Sequence, residues 1–212
     1  MSSAREEILN KLKNAVHPKP EKPDFDAPVY FPIEQALEDA FKENLEKVNG
    51  SVHLFNSETD LYQKLKTLLA EFPQELIICN ESELGKQLKQ HKVPFISTIN
   101  LPENLQVGIT FCEFLIAHTG SVMVSSAQEG GRQLLVYPEI HVVIAKYTQL
   151  VDYLEAAYVG MKKKYGKNLP SQITLITGPS RTADIEKTLV MGAHGPREFH
   201  VFLLRSKVTE SE

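Results

Sequence analysis

Residues Ile173 to Arg197 read ITLITGPSRTADIEKTLVMGAHGPR, and the punctuation of this stretch sets the expectation for the fold. Ile173 to Thr177 is a short apolar run rich in β-branched side chains, halted at once by Gly178-Pro179, as a buried strand is halted by a turn. Ser180, Arg181 and Thr182 follow, and ADIEKTLVM then reads as a helix. Thr182 is placed to cap that helix, Asp184 and Glu186 fall in or just beyond its first turn where the dipole favours carboxylates, and Gly192 ends it. A strand, a tight turn carrying hydroxyls and a guanidinium, and a helix N-terminus make an anion-binding arrangement when they stand at the carboxyl end of a strand in an α/β protein.

The flanking sequence extends the same alternation. Downstream, EFHVFLL (198–204) is expected to be the last strand, and 206–212 a frayed tail. Upstream, LVDYLEAAYVGMKKKYG (150–166) is an amphipathic helix whose late lysines suit its C-terminal end. Strands are expected at IHVVIA (140–145), VGIT (107–110), ELIIC (75–79) and SVHLF (51–55), with a weaker extended piece at VPFIST (93–98). LIAHTGSVMVSS (115–126) is broken by Thr119-Gly120-Ser121, which predicts a hairpin between two short strands. Helices are expected at 33–48, where Ile33, Ala36, Leu37, Ala40, Phe41, Leu45 and Val48 form a stripe, after Ser57 or Thr59, and from Ser82. Strands alternating with helices predict a largely parallel sheet covered by helices on both faces, in one α/β domain over residues 33–205. Before it, Ile8, Leu9, Leu12 and Val16 mark a short amphipathic helix, and 17–32 hold five prolines in sixteen residues. That composition is a linker. The first helix is then a detachable arm or a homo-oligomer contact, or else it packs back on the domain.

The totals narrow the function classes. Twenty-seven acidic against twenty-three basic residues give a net charge of −4, with no basic block to meet a nucleic acid backbone. The start, MSSAREEILNKLK, has acids among its bases and no apolar h-region, and no run of about 18 apolar residues occurs, so a cytoplasmic protein with no membrane segment is expected. Two cysteines, Cys79 and Cys112, stand far apart without a CxxC pair; they give neither a disulfide framework nor the four thiolates that an iron–sulfur cluster takes. The histidines include no i, i+4 pair, and no metal site is expected. Gly160 to Asn168 only mimics a phosphate-binding loop, because five residues separate its glycines and Asn168 stands where a hydroxyl would hold magnesium.

Four polar loops remain: His118 to Ser121, Glu129 to Arg132, Gly178 to Thr182, and His194-Gly195-Pro196-Arg197. Loops at the carboxyl ends of parallel strands converge on one crevice, so together they are expected to hold an anionic small molecule. The candidate ligand-binding residues are Thr119, Gly120, Ser121, Gly131, Arg132, Gly178, Pro179, Ser180, Arg181, Thr182, Asp184, Glu186, His194 and Gly195. Taken singly, each loop is as well explained by glycines in tight turns, capping hydroxyls and surface arginines. His194 is also a candidate base near the crevice.

The string GPSRTADIEKTLVMGAHGPREFHVFLL, with AHTGSVMV and the GGR loop before LLVYPEIHVVIA, resembles the LUD domain of the lactate-utilisation C family (LutC/YkgG), and the resemblance spans nearly the whole chain. It implies an α/β fold similar to the NagB/RpiA/CoA-transferase-like three-layer proteins. It further implies a three-component system that oxidises L-lactate to pyruvate, with iron–sulfur clusters in partner subunits and no cofactor in this chain. The family usually carries an acid before Thr119-Gly120; here it is His118, so no carboxylate role transfers to that position. Two functional expectations result. In the first, a non-iron–sulfur subunit binds a small anion through Arg181 and Arg132 or supports assembly. In the second, an independent enzyme of the same fold acts on a CoA, sugar-phosphate or folate-type substrate, with Glu113 or Glu129 as the carboxylate near the glycine loops. A third, purely structural expectation is a scaffold whose N-terminal helix and linker form its docking arm.

Overall fold

A computed structural model describes residues 3–15, 20–25, 30–182 and 190–205 of the chain. It divides into two units, Met1–Pro32 and Ile33–Glu212. In the first, helix α1 (Ala4–Asn14) begins at a capping box in which the Ser3 hydroxyl accepts from the Glu6 N–H and the Glu6 carboxylate accepts from the Ser3 N–H. No residue of α1 is buried, and Ile8, Leu9 and Leu12 face solvent.

The second unit runs α2 (Leu37–Glu46), β1 (Ser51–Phe55), α3 (Glu58–Leu69), β2 (Ile77–Ile78), α4 (Ser82–Gln90), β3 (Val107–Thr110), β4 (Phe114–Ile116), β5 (Ser121–Ser125), β6 (Ile140–Lys146), β7 (Leu150–Val151), α5 (Leu154–Tyr165), β8 (Ile173–Ile176), β9 (Arg181–Thr182), β10 (Val190–Met191) and β11 (Glu198–Leu204). Five strands form an all-parallel sheet in the order β1-β11-β6-β3-β2. Its middle strand β6 is buried from Ile140 to Ala145, the continuous apolar pattern that a sheet covered on both faces demands. Ile78 also bridges Ile96 in parallel, which is where the weak extended piece at 93–98 attaches.

Alternation along each strand sorts the core. Val107, Ile109, Val142, Ile144 and Phe202 face α3 and α4 through Leu61, Leu65, Leu69, Leu84 and Leu88. Val52, Val143, Ala145, Val201 and Leu203 face the other way, against Phe41 and Leu45 of α2 and against Leu115, Val122 and Val124 of a second sheet. That sheet has the order β7-β4-β5-β8, with β5 antiparallel to both neighbours and β7 parallel to β4. Helices therefore cover only one face completely. On the other face the mixed sheet takes their place, and α5 packs on its outer side through Ala157 and Met161 against Ile116 and Met123. The result is a three-layer α/β fold with a mostly parallel central sheet.

The stretch at 173–197 departs from its sequence reading in two ways. Ile173–Ile176 is not a strand of the parallel sheet; it pairs antiparallel with β5 and is only half-buried. The short connection from α5 explains this, since a helix packed on the second sheet delivers the next strand to that same sheet. The end of the expected helix is not helical either: Val190 pairs with Thr182 and Met191 with Arg181 in an antiparallel bridge. Residues 183–189, with Asp184 and Glu186, lie outside the described residues. The hairpin at 115–126 stands as read, turning at Gly120 with φ +62°. Among the described residues, no helix is long and apolar enough to cross a membrane.

Candidate functional site

Three adjacent parallel strands, β6, β3 and β2, deliver their carboxyl ends to one region. β2 runs through Cys79 and Asn80 to Glu81, and α4 starts at the next residue. β3 runs through Phe111 and Cys112 to Glu113, after which β4 begins. β6 ends at Lys146, whose N–H donates to the Gln149 side chain at 2.8 Å. The last turn of α5 adds Lys164 and Tyr165, and the loop after β5 adds Gln128 and Glu129. Between them lies a cleft of about 650 Å³, in the crevice position of an α/β sheet.

Two buried glutamates on this wall are held very differently. Glu113 is saturated: Lys164 Nζ donates to Oε2 at 2.7 Å, and Tyr165 Oη and Ser125 Oγ each donate to Oε1 at 2.7 Å. Burial by itself would raise its proton affinity, but these three hydrogen bonds and the ammonium charge outweigh burial and hold the carboxyl below its ordinary value. The Lys164 proton is correspondingly held more tightly. Glu81 is 7% exposed, and its two oxygens share a single donor, the Phe111 N–H, at 3.1 Å each. Burial, reinforced by the charges of Glu129 and Glu113, pushes it up to about 7 against the Phe111 hydrogen bond. The two carboxyl groups are thus driven towards opposite protonation states by their surroundings.

Around them the loop at 128–132 is fitted closely. The Glu129 carboxylate accepts from the Ser82 N–H at 2.6 Å, occupying the first free amide of α4. Gly130 lies over Glu81, where a Cβ would come within 3.1 Å of Oε1. On the far side of Glu129, Gly131 and Arg132 line a second hollow of about 410 Å³ with Asn80, Ile99 and Leu101, and the Arg132 guanidinium donates to Ser171 Oγ at 3.2 Å. Beneath the cleft, Thr110 Oγ1 and His141 Nε2 are 2.9 Å apart, and burial lowers the His141 imidazole to about 3, so it is neutral.

The four loops expected to share a crevice do not do so. Thr119 and Ser121 meet Thr177 in a chain of hydroxyls at 2.7 and 2.8 Å. This cluster abuts the last turn of α2, just before β1 begins. A Cβ on Gly120 would fall 2.3 Å from the Leu45 nitrogen and one on Gly178 2.6 Å from the Val48 oxygen, so these glycines serve close packing. Ser180 joins the loop at 192–197: its N–H donates to Pro196 O, its carbonyl accepts from the Gly192 N–H, and its hydroxyl accepts from the His194 N–H. Gly195 would place a Cβ 3.2 Å from the Ser180 Cβ. Arg197 N–H donates to Glu139 O, immediately before β6 and β11 start, which puts Ser180, His194 and Gly195 at the amino end of the parallel sheet. Pro179, Arg181 and Thr182 continue from β8 on that side. Of the expected residues that are described, only Gly131, Arg132, Glu113 and Glu129 border the carboxyl end. The loops at the two ends of β5 are separated by that strand, roughly 13 Å. The physical reason is the antiparallel second sheet, which sends successive turns to opposite ends.

Sequence reasoning missed Glu81, Ser125, Lys146, Lys164 and Tyr165. The strand-then-helix reading of 75–88 already put Asn80 and Glu81 at a parallel strand's carboxyl end; the lysines carried no local signal. Among the described residues no group of three or more histidines, cysteines or acids could hold a metal ion. The family model for the LUD domain matches residues 38–204. The chain is 39% identical over 117 residues to Lactate utilization protein C of Geobacillus thermodenitrificans, covering 54% of this chain and 45% of that protein. It is 37% identical over 100 residues to Lactate utilization protein C of Bacillus subtilis, covering 46% and 42%. It is 36% identical over 100 residues to Uncharacterized protein YkgG of Escherichia coli, covering 46% and 43%. The aligned parts thus span under half the length of these relatives. In structure it is similar to a DUF162 family protein from Deinococcus radiodurans, with a TM-score of 0.59 and 13% identity over 79% of this chain and 96% of that one.

Proposed function

Because the chain belongs to the LUD domain family, we propose that it works in lactate utilisation as a subunit without iron–sulfur clusters that binds a small anionic ligand in the cleft beside Glu81. One observation carries the binding reading: Lys86, Lys146 and Lys164 are among the residues that line a cleft at the carboxyl ends of parallel strands. The lactate reading is supported by the names of the relatives. On this reading the chain is one of three cytoplasmic components that oxidise L-lactate to pyruvate, and the electron-carrying clusters belong to its partners. The chain's own thiols suit that division. Cys79 and Cys112 are both buried; burial pushes Cys79 up to about 12 and Cys112 upward as well, which makes both poor metal ligands.

The test is anaerobic affinity purification of the tagged protein from lactate-grown cells, with partner identification and a visible absorption spectrum. Cysteine-rich, cluster-bearing proteins that co-elute are the expected result. A colourless protein that elutes alone and turns over a thioester or sugar phosphate would overturn the proposal in favour of an independent enzyme. That second reading is favoured by carboxylates at the cleft, but it is the weaker one. Glu113 is engaged by three donors, which leaves it poorly placed to attack a substrate, and Glu129 is solvent-exposed and hydrogen-bonded to the Ser82 N–H.

A further inference from the structure

We propose that Glu81 is the residue by which the cleft tells a 2-hydroxy acid from the corresponding 2-oxo acid, an inference that rests on the cleft being the anion site proposed above. An ionised carboxylate offers about four lone-pair directions. Among the described residues, a single N–H meets those of Glu81. Glu113 is saturated by Lys164, Tyr165 and Ser125, while Glu129, which accepts from the Ser82 N–H, and Glu83, paired with Lys86 at 3.2 Å, are exposed to solvent. Of the two buried acids at the cleft, Glu113 meets three donors and Glu81 one, so Glu81 is the buried carboxyl that keeps spare hydrogen-bonding capacity on a cleft wall. The lysines divide similarly. Lys164 and Lys86 are paired, whereas the Lys146 ammonium makes no ion pair among the described residues. It is the group placed to take a ligand carboxylate.

A 2-hydroxy acid presents an O–H donor beside its carboxylate, and a 2-oxo acid presents an acceptor at the same position. Ionised Glu81 accepts from the first and repels the second; protonated, it can donate to the second. The charged groups facing it are Glu129 from the loop after β5, Glu113 from the start of β4 and Lys164 from α5, with Lys86 of α4 and Lys146 of β6 on the same cleft. Burial and the two neighbouring carboxylates set the exchange between the two states at about pH 7. The preference is therefore expected to change sense near neutrality, with the hydroxy acid favoured in alkaline and the oxo acid in acidic solution.

The experiment compares the dissociation constants of L-lactate, pyruvate and propionate for the full chain by calorimetry at pH 8 and pH 6, in wild type, Glu81→Gln and Lys146→Ala. Glutamine keeps an oxygen for the Phe111 N–H and turns its NH₂ to the cleft. Wild type is expected to hold L-lactate about tenfold more tightly than pyruvate at pH 8, the size of one hydrogen bond matched against one mismatched, and to lose or invert that ratio at pH 6. Glu81→Gln should favour pyruvate at both pH values, and Lys146→Ala should weaken all three acids alike. Equal binding of the three by wild type, or an unchanged lactate preference in Glu81→Gln, would overturn the role of Glu81 and leave the anion site standing. Binding of none of them by wild type would overturn both.

Discussion

The two ends of the parallel sheet are built on opposite principles. The amino end holds the conspicuous motifs: Thr119-Gly120-Ser121, Gly178-Pro179-Ser180 and His194-Gly195-Pro196. There the hydroxyls bond to one another or to backbone, and the glycines let loops press against α2 and against each other. The carboxyl end holds few conspicuous motifs, yet it gathers Glu81, Glu113, Glu129, Lys86, Lys146 and Lys164 around one cleft. A glycine-bearing string thus marks where backbone approaches backbone. The ionisable side chains gather where distant segments converge.

Substitutions at either end test this contrast. The largest effect is expected for Gly120→Ala, which combines a positive φ with a Cβ 2.3 Å from the Leu45 nitrogen and should cost about 4 kcal/mol by urea denaturation. Any protein that still folds should bind anions normally. Glu81→Gln should act in the opposite direction, because the native site favours the protonated carboxyl. Wild-type stability is complete below the ordinary carboxyl value of 4.5 and falls as pH rises through about 7, whereas the glutamine variant is indifferent. At pH 8 the variant should be more stable by about 3 kcal/mol, and the gain should vanish below pH 4.5.

Glu113→Gln reverses that sign. A carboxyl held below its ordinary value contributes stability above that value and loses it as pH falls. The variant should lose about 2 kcal/mol at pH 7, less than for a fully buried pair because the Lys164 side chain is 56% exposed and can be rehydrated. In thermal unfolding this penalty should shrink towards acid. The smallest change is expected at the amino end: Ser180→Ala removes the hydroxyl that accepts from the His194 N–H, at under about 1 kcal/mol, and leaves L-lactate binding unchanged. Lost binding in that variant would move the ligand site to the other end of the sheet.

Much of the fold was legible because strands such as IHVVIA and EFHVFLL are long, apolar and sharply bounded, and because Ser57 and Ser82 stand at helix starts. The four-residue run ITLI could not declare its sheet; both a parallel and an antiparallel strand accept it, and its place follows from where α5 packs. The site was legible only in part. Glu113 and Glu129 drew notice because they neighbour glycine loops, while Glu81, Lys146 and Lys164 lie in ordinary surroundings. Nothing local records that the ends of β2, β6 and α5 meet, since that depends on strand order and not on composition.

Strand order also governs when the sheet can be completed. Among the described residues β11 is the last strand; it lies between β1 and β6, and β1 touches the sheet only through it. During synthesis, β1 therefore has no sheet partner until residues 198–204 have left the ribosome. The gap in the middle of the sheet closes last, by contacts spanning roughly 150 residues of chain, the long-range kind that makes folding slow. A chain cut short before Glu198 would leave β6, β3 and β2 paired, with the open edges of β6 and β1 facing each other across a gap.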